Sequence, residues 1–150
     1  MARSYAQLAA VVFFVTGLVG LVAGQPSHHL GLHGAGQPIG SWADFDGVAL
    51  HLTYVRDALN LVIAGVFAYA GWRAPNRDAA LIVLGAGAFL LALAVIGFIV
   101  SDDDLLAGGH HPSVAGLRFP LAINIFDLVT GVLGVLSGLG GLEEEEAAPA

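Results

Sequence analysis

The chain alternates between long apolar blocks and short polar segments, and the blocks lack the two-residue alternation typical of half-buried strands. A helix crosses a hydrocarbon core of about 30 Å with roughly 20 apolar residues. The pattern therefore predicts an all-α, polytopic membrane protein with a four-helix transmembrane domain over residues 1–142. The predicted helices cover residues 5–24, 48–72, 79–100 and 119–139.

Polar residues interrupt the second and fourth blocks near their start. A charged side chain at the bilayer centre costs at least about 2.5 kcal/mol, so such groups turn inward and pair. Arg56 and Asp57 are neighbours in the sequence, and successive side chains of a helix point about 100° apart. Asp127 of the fourth helix is therefore the better partner for Arg56. We predict that this pair bridges helices two and four, with Asn60 and Asn124 satisfying the remaining donors and acceptors.

The charges of this predicted network do not balance, since one arginine faces two aspartates. Three arrangements are open: one aspartate is protonated, a cation is bound, or one aspartate reaches water beyond the membrane. We interpret the network first as a clasp that fixes how the helices meet. A proton or ion site, and a docking site for a partner chain or a lipid headgroup, are the alternatives.

The two halves of the chain resemble each other. Segments 57–61 and 124–128 carry polar residues in matching positions, and both helices run in the same direction. The pattern indicates two parallel two-helix repeats. Small residues follow the polar ones on the same helix face and let helix backbones approach closely. The predicted packing positions are Gly20, Gly24, Ala64, Gly131, Gly134 and Gly138.

These features resemble a family of small four-helix membrane proteins, common in actinobacteria and classed only as a domain of unknown function. That family carries Asn-x-x-His-Leu in helices two and four, and a Gly-rich end of helix one similar to GLVGLVAG. The positions that match its asparagine are Asp57 and Asn124, and those that match its histidine are Asn60 and Asp127. Because both histidines are replaced, the resemblance implies a fold and no haem or metal role.

The distribution of charge predicts the orientation. Arg3, Arg73 and Arg77 lie on one side of the predicted helices, and Arg118 lies on the other. The positive-inside rule then places both termini and the 73–78 loop in the cytoplasm, with the chain in the cell membrane. The first block is long for the apolar part of a signal peptide, so we expect it to be retained. Residues 143–150 are predicted to form a disordered acidic tail.

All six histidines fall on the predicted outer side. His28, His29, His110 and His111 form two pairs in the two outer loops, where imidazole could bind zinc or copper. Hydrated loop residues are the simpler interpretation, because adjacent histidines rarely bind one ion together. We therefore expect no cofactor and keep the outer metal site as an alternative.

Composition and motifs narrow the function. Only 11% of residues are charged, against about a quarter in soluble domains, and the net charge of −7 offers no basic surface for nucleic acid. There is no cysteine, and no P-loop or HExxH motif. We predict a non-enzymatic accessory or structural subunit of a larger membrane complex, or a self-associating scaffold, whose partners are the lipid bilayer and other membrane subunits or itself. A proton- or ion-conducting homo-oligomer and an extracytoplasmic metal-binding protein are the alternatives.

Overall fold

Four helices account for most of the structure. The computed structural model describes residues 1–23, 54–100, 113–114, 117–119 and 121–146. The helices are α1 (Ala2–Ala23), α2 (Tyr54–Trp72), α3 (Asn76–Val100) and α4 (Leu121–Glu146). A two-residue antiparallel ladder precedes α4, formed by β1 (Ser113–Val114) and β2 (Leu117–Arg118). The predicted all-α class is confirmed for the described part of the chain.

Three of the described helices are long and apolar enough to cross a membrane: α1 over Ala2–Leu21, α3 and α4. The helix α2 is not among them, since Arg56, Asp57 and Asn60 in its first two turns lower its mean hydropathy. The length and composition of α1, α3 and α4 are those of helices in a membrane protein. Residues 48–53 of the predicted second helix lie outside the described residues.

Three helices extend beyond their predicted bounds, and the first of them, α1, begins at Ala2 where residue 5 was predicted. The helix α3 begins at Asn76, and α4 continues through Glu143–Glu146. These four glutamates therefore belong to a helix, whereas the sequence placed them in a disordered tail; residues 147–150 lie outside the described part. Negative charge at a helix C-terminus opposes the helix dipole. The amino group of Met1 lies 2.8 Å from the Glu144 carboxylate and offsets part of that charge.

A tight turn joins α2 to α3. The carbonyl of Tyr69 accepts hydrogen bonds from the backbone N–H groups of Arg73 and Ala74, both at 2.9 Å. Pro75 follows, and its carbonyl accepts the N–H of Ala79 at 2.8 Å to begin α3. Proline disfavours helical geometry in the residue before it, which explains why α2 ends here. With so short a connection, α2 and α3 run antiparallel.

Two helical hairpins make up the bundle, and aromatic rings join them. The helix α1 packs along α2, and α3 packs along α4. Phe13 of α1 contacts Phe67 of α2 and Phe126 of α4, with ring centroids 5.8 Å and 5.2 Å apart. Tyr5 of α1 meets the edge of Phe67 and donates a hydrogen bond to the Thr130 carbonyl of α4 at 2.5 Å. The centre of the bundle is therefore filled by side chains from both hairpins.

The outer surface of the bundle is apolar. Large hydrophobic side chains are exposed on every described helix, such as Phe14 (51%), Val62 (63%), Ile99 (76%) and Leu136 (59%). The buried positions hold apolar side chains too, together with the charged side chains Arg56, Asp57 and Asp127. Polar groups inside and apolar groups outside are what a lipid environment favours, since unpaired charges are costly in hydrocarbon.

The Tyr5–Thr130 hydrogen bond gives a small, specific prediction. Tyr5→Phe removes the hydroxyl and keeps the ring, so we expect it to lower the unfolding free energy by about 1 kcal/mol. Tyr69→Phe is the matched control, because Tyr69 is 55% exposed and its hydroxyl makes no such bond among the described residues. Unfolding in mixed micelles, followed by circular dichroism, measures both. Equal stability of the two variants would show that the Tyr5 hydroxyl contributes nothing.

Candidate functional site: a buried polar network between the hairpins

Five polar side chains are buried where α2 and α4 begin, and we call them the polar network. They are Arg56, Asp57 and Asn60 of α2, and Asn124 and Asp127 of α4, none more than 2% exposed. Arg56 and Asn60 are four residues apart, and Asn124 and Asp127 three, so each pair shares a helix face. The helical spacing that turns apolar side chains outward thereby turns these five inward.

An ion pair connects the two hairpins. The Nη2 group of Arg56 donates a hydrogen bond to Oδ1 of Asp127, with side chains 1% and 0% exposed. The arginine belongs to the first hairpin and the aspartate to the second. Removing one member of a buried pair leaves an uncompensated charge, which destabilises a protein by about 3–5 kcal/mol. Among the described residues, this ion pair is therefore the main polar interaction between the two hairpins.

The backbone fixes the orientation of Asn124. Its Nδ2 group donates a hydrogen bond to the carbonyl of Phe119 at 3.2 Å. If the Asn124 amide were reversed, its Oδ1 atom would face the carbonyl oxygen of Phe119. The Oδ1 atom therefore points away from Phe119. That oxygen lies against α3 at Gly97, where an added Cβ would be 1.9 Å from it. Only glycine at position 97 leaves room for the buried amide.

The first hairpin contains a matching contact. A Cβ added to Gly20 of α1 would lie 1.9 Å from Oδ1 of Asp57, and one added to Gly17 would lie 3.0 Å from the Asp57 carbonyl. In both hairpins, then, a glycine of the first helix accommodates a polar side chain of the second. Asp57 and Asn124 are both completely buried at these contacts.

The network is rich in hydrogen-bond acceptors. In the part of the chain that the structure describes, Asp127 Oδ2, Asn124 Oδ1 and Asn60 Oδ1 receive no hydrogen bond. Arg56, Asp57 and Asp127 together carry one net negative charge when ionised. Such a group of oxygens can accept protons, hold water or bind a small cation.

A layer of aromatic rings fills the interior of the bundle next to the polar network. Phe126 adjoins Asp127 in the sequence, and its ring packs on Phe13, which packs in turn on Phe67. Phe13 and Phe67 are completely buried. The polar network therefore ends at a layer of rings on the side that leads toward Arg3 and Ala74. An ion that entered from the network end would meet apolar rings before it crossed the bundle.

The predicted packing residues lie where helices meet, within the described residues. Gly20, Ala64, Gly131, Gly134 and Gly138 are all buried, and Gly24 lies outside the described residues. The sequence analysis missed Gly87, whose added Cβ would lie 2.6 Å from the Val135 nitrogen, and Gly97. These glycines belong to a helix with no polar side chain after its first turn, so nothing in its pattern distinguished the inner face from the outer.

The predicted metal site falls outside the described residues, because His28, His29, His110 and His111 all lie there. The residues that the structure does describe contain no group of three or more histidine, aspartate or glutamate side chains placed to hold a metal ion. Zinc or copper binding at the four histidines stays a prediction.

Comparison of the chain with protein-family models, curated proteins and solved structures gives no match. The resemblance to the four-helix actinobacterial family therefore stays a prediction as well.

Proposed function

We propose that this chain is a four-helix membrane protein with a structural role, either as an accessory subunit of a larger membrane complex or as a self-associating scaffold. One observation supports this most: the interior is occupied by packing contacts and by the Arg56–Asp127 pair. The exterior instead presents large apolar side chains on all described helices. A protein of this kind interacts through its surface, with lipid or with other membrane helices.

We further propose that the bundle consists of two parallel hairpin repeats. The glycine contacts support this arrangement. Gly20 meets Asp57 as Gly97 meets Asn124, and Gly71 meets Gln7 as Gly138 meets Leu84. The spacing from Gly20 to Gly97 equals that from Gln7 to Leu84, and the spacing from Asp57 to Asn124 equals that from Gly71 to Gly138. The same residue offsets therefore relate the first hairpin to the second at both ends of the bundle.

In this proposal α2 is the fourth membrane-spanning helix. Its charged residues are the buried ones, Arg56 and Asp57, and its remaining length is apolar. Pairing across the bundle lets such a helix enter the hydrocarbon region. The arginines Arg3, Arg73 and Arg77 lie together at the opposite end from the network, which favours an orientation with both termini in the cytoplasm.

Extraction from native membranes in a mild detergent, with chemical cross-linking before lysis, tests the structural role. We expect the chain to be recovered in a stable assembly, either with other membrane subunits or as a homo-oligomer, and native mass spectrometry identifies which. Recovery as a monomer both with and without cross-linking would contradict this proposal.

Conduction of protons or ions by a homo-oligomer is the second candidate, and the acceptor-rich network favours it. The layer formed by Phe13, Phe67 and Phe126 opposes a route through a single bundle. Purified protein in vesicles that contain a pH-sensitive dye distinguishes the two functions. The structural proposal expects no flux above empty vesicles. A flux that Asp127→Asn abolishes would support conduction instead.

A further inference from the structure

An apolar groove runs along the outside of the first hairpin, between α1 and α2. Its volume is about 510 Å³. Ala64, Gly65 and Ala68 line it from α2, together with Ala10 of α1, and the larger side chains Phe14 and Trp72 also border it. Phe14 and Trp72 are 51% and 55% exposed, so the groove opens toward the surroundings of the bundle.

Gly65 keeps this groove open. A Cβ added to Gly65 would meet no atom within 4 Å, so packing inside the protein does not require glycine there. Glycine in a helix is less favourable than alanine by about 1 kcal/mol. The position therefore combines an energetic cost with no internal contact. Glycine at this position leaves room for a ligand to lie against the α2 backbone.

The groove has the length of one lipid tail. Along α2 it extends from Leu61 to Trp72, which is about 16 Å at 1.5 Å per residue. The hydrocarbon core of a bilayer is about 30 Å thick, so one leaflet contributes about half of that. An acyl chain of a single leaflet therefore matches the groove from end to end.

Cationic side chains lie at one end of the groove. Arg73 follows Trp72 directly, and Arg3 of α1 donates a hydrogen bond to the Ala74 carbonyl of the same turn. Arg3, Arg73 and Arg77 are all exposed, and none forms an ion pair within the described residues. Arg3 also lines a second cavity, which it shares with Glu144 and Glu145 of α4. Arg77 lies in the first turn of α3, next to Asp78 and in the other hairpin. Arg73 is therefore the cation that adjoins the groove itself.

We propose that this groove binds one anionic phospholipid, with an acyl chain between α1 and α2 and the phosphate at Arg73. The inference rests on the proposed membrane embedding and is independent of the scaffold role. Apolar burial holds the acyl chain, and the Arg73 guanidinium selects an anionic headgroup over a zwitterionic one. Trp72 lies where the tail meets the headgroup, as interfacial tryptophans do.

Quenching of Trp72 fluorescence by brominated lipid tails tests the site. The chain has two tryptophans, so Trp42→Phe leaves Trp72 as the only fluorophore. The protein is placed in phosphatidylcholine vesicles that contain a small fraction of either brominated phosphatidylglycerol or brominated phosphatidylcholine. We expect stronger quenching by brominated phosphatidylglycerol at equal fraction. Arg73→Gln should lower its apparent affinity about fivefold.

Two matched substitutions separate the groove from the general lipid surface. Gly65→Leu fills the groove, and we expect it to remove the preference for phosphatidylglycerol. Gly85→Leu is the control, because Gly85 of α3 is also exposed, has no atom within 4 Å of an added Cβ and lies away from the groove. It should leave the preference unchanged.

Four results would overturn the proposal. Equal quenching by both lipids, or a preference that Gly65→Leu does not alter, would show that no lipid site exists. Loss of self-association in Gly65→Leu, with unchanged lipid preference, would assign the groove to a second copy of the chain. Failure of both brominated lipids to quench Trp72 would instead contradict the membrane embedding itself.

Discussion

Arg56→Leu is expected to destabilise the bundle by about 3–5 kcal/mol, because it leaves the Asp127 carboxylate buried without its cationic partner. The substitution makes α2 more apolar and so favours its insertion into lipid. A loss of stability would therefore come from the broken pair and not from poorer insertion. Unfolding in mixed micelles, with the transition followed by circular dichroism, gives the change in free energy.

The double variant Arg56→Leu/Asp127→Leu removes both charges and distinguishes a pair from two separate effects. We expect it to be more stable than Arg56→Leu alone, since no unpaired carboxylate remains at position 127. Arg77→Leu is the control for the loss of an arginine, because Arg77 is exposed. A double variant no milder than the single one would mean that Arg56 and Asp127 do not depend on each other.

Gly87→Ala is expected to lower the unfolding free energy by about 1–3 kcal/mol, through steric overlap between α3 and α4. An added Cβ would lie 2.6 Å from the Val135 nitrogen, 2.8 Å from the Gly134 carbonyl carbon and 2.9 Å from the Gly131 oxygen. These are backbone atoms, so no side-chain rotation relieves the overlap. The two helices must separate, which weakens the packing of the second hairpin.

Gly85→Ala provides the matched control for that prediction. It places the same substitution two residues away on the same helix, but at an exposed position where the new Cβ meets no atom within 4 Å. Alanine favours the helix over glycine by up to about 1 kcal/mol, so we expect this variant to be as stable as the parent or slightly more so. Equal destabilisation of both variants would indicate a general effect on α3, unrelated to its contact with α4.

The sequence predicted the helical class of the protein and the five polar residues of its network, but not their hydrogen bonds, since the Asn124 amide donates to the Phe119 carbonyl and not to a carboxylate. Charged residues inside apolar blocks are rare and must be buried, so Arg56 and Asp127 were recognisable without coordinates. Their spacing on α2 and α4 also indicated the inward face. The cost of placing a charge in hydrocarbon far exceeds other energetic differences between the faces of a helix, so the charged residues indicate which face is buried.

The sequence could not show which face of α3 packs inside. After its first turn this helix contains only apolar residues, and lipid tails are as apolar as a protein core, so no hydrophobic difference separates its faces. Gly85 is exposed and Gly87 is in close contact with α4, yet both glycines are flanked by similar apolar residues in the sequence. The glutamates of α4 were misjudged for a related reason: Glu144 is close to the Met1 amino group, a contact between distant parts of the chain.

The account depends above all on the Arg56 guanidinium lying against the Asp127 carboxylate inside the bundle. Solid-state NMR on protein in lipid bilayers, with ¹⁵N-labelled arginine and ¹³C-labelled aspartate, measures that distance directly, and the Asp127→Asn variant identifies the signal. We predict a guanidinium-to-carboxyl contact within about 4 Å that disappears in the variant. A spectrum in which Asp127→Asn changes no arginine contact would contradict the account.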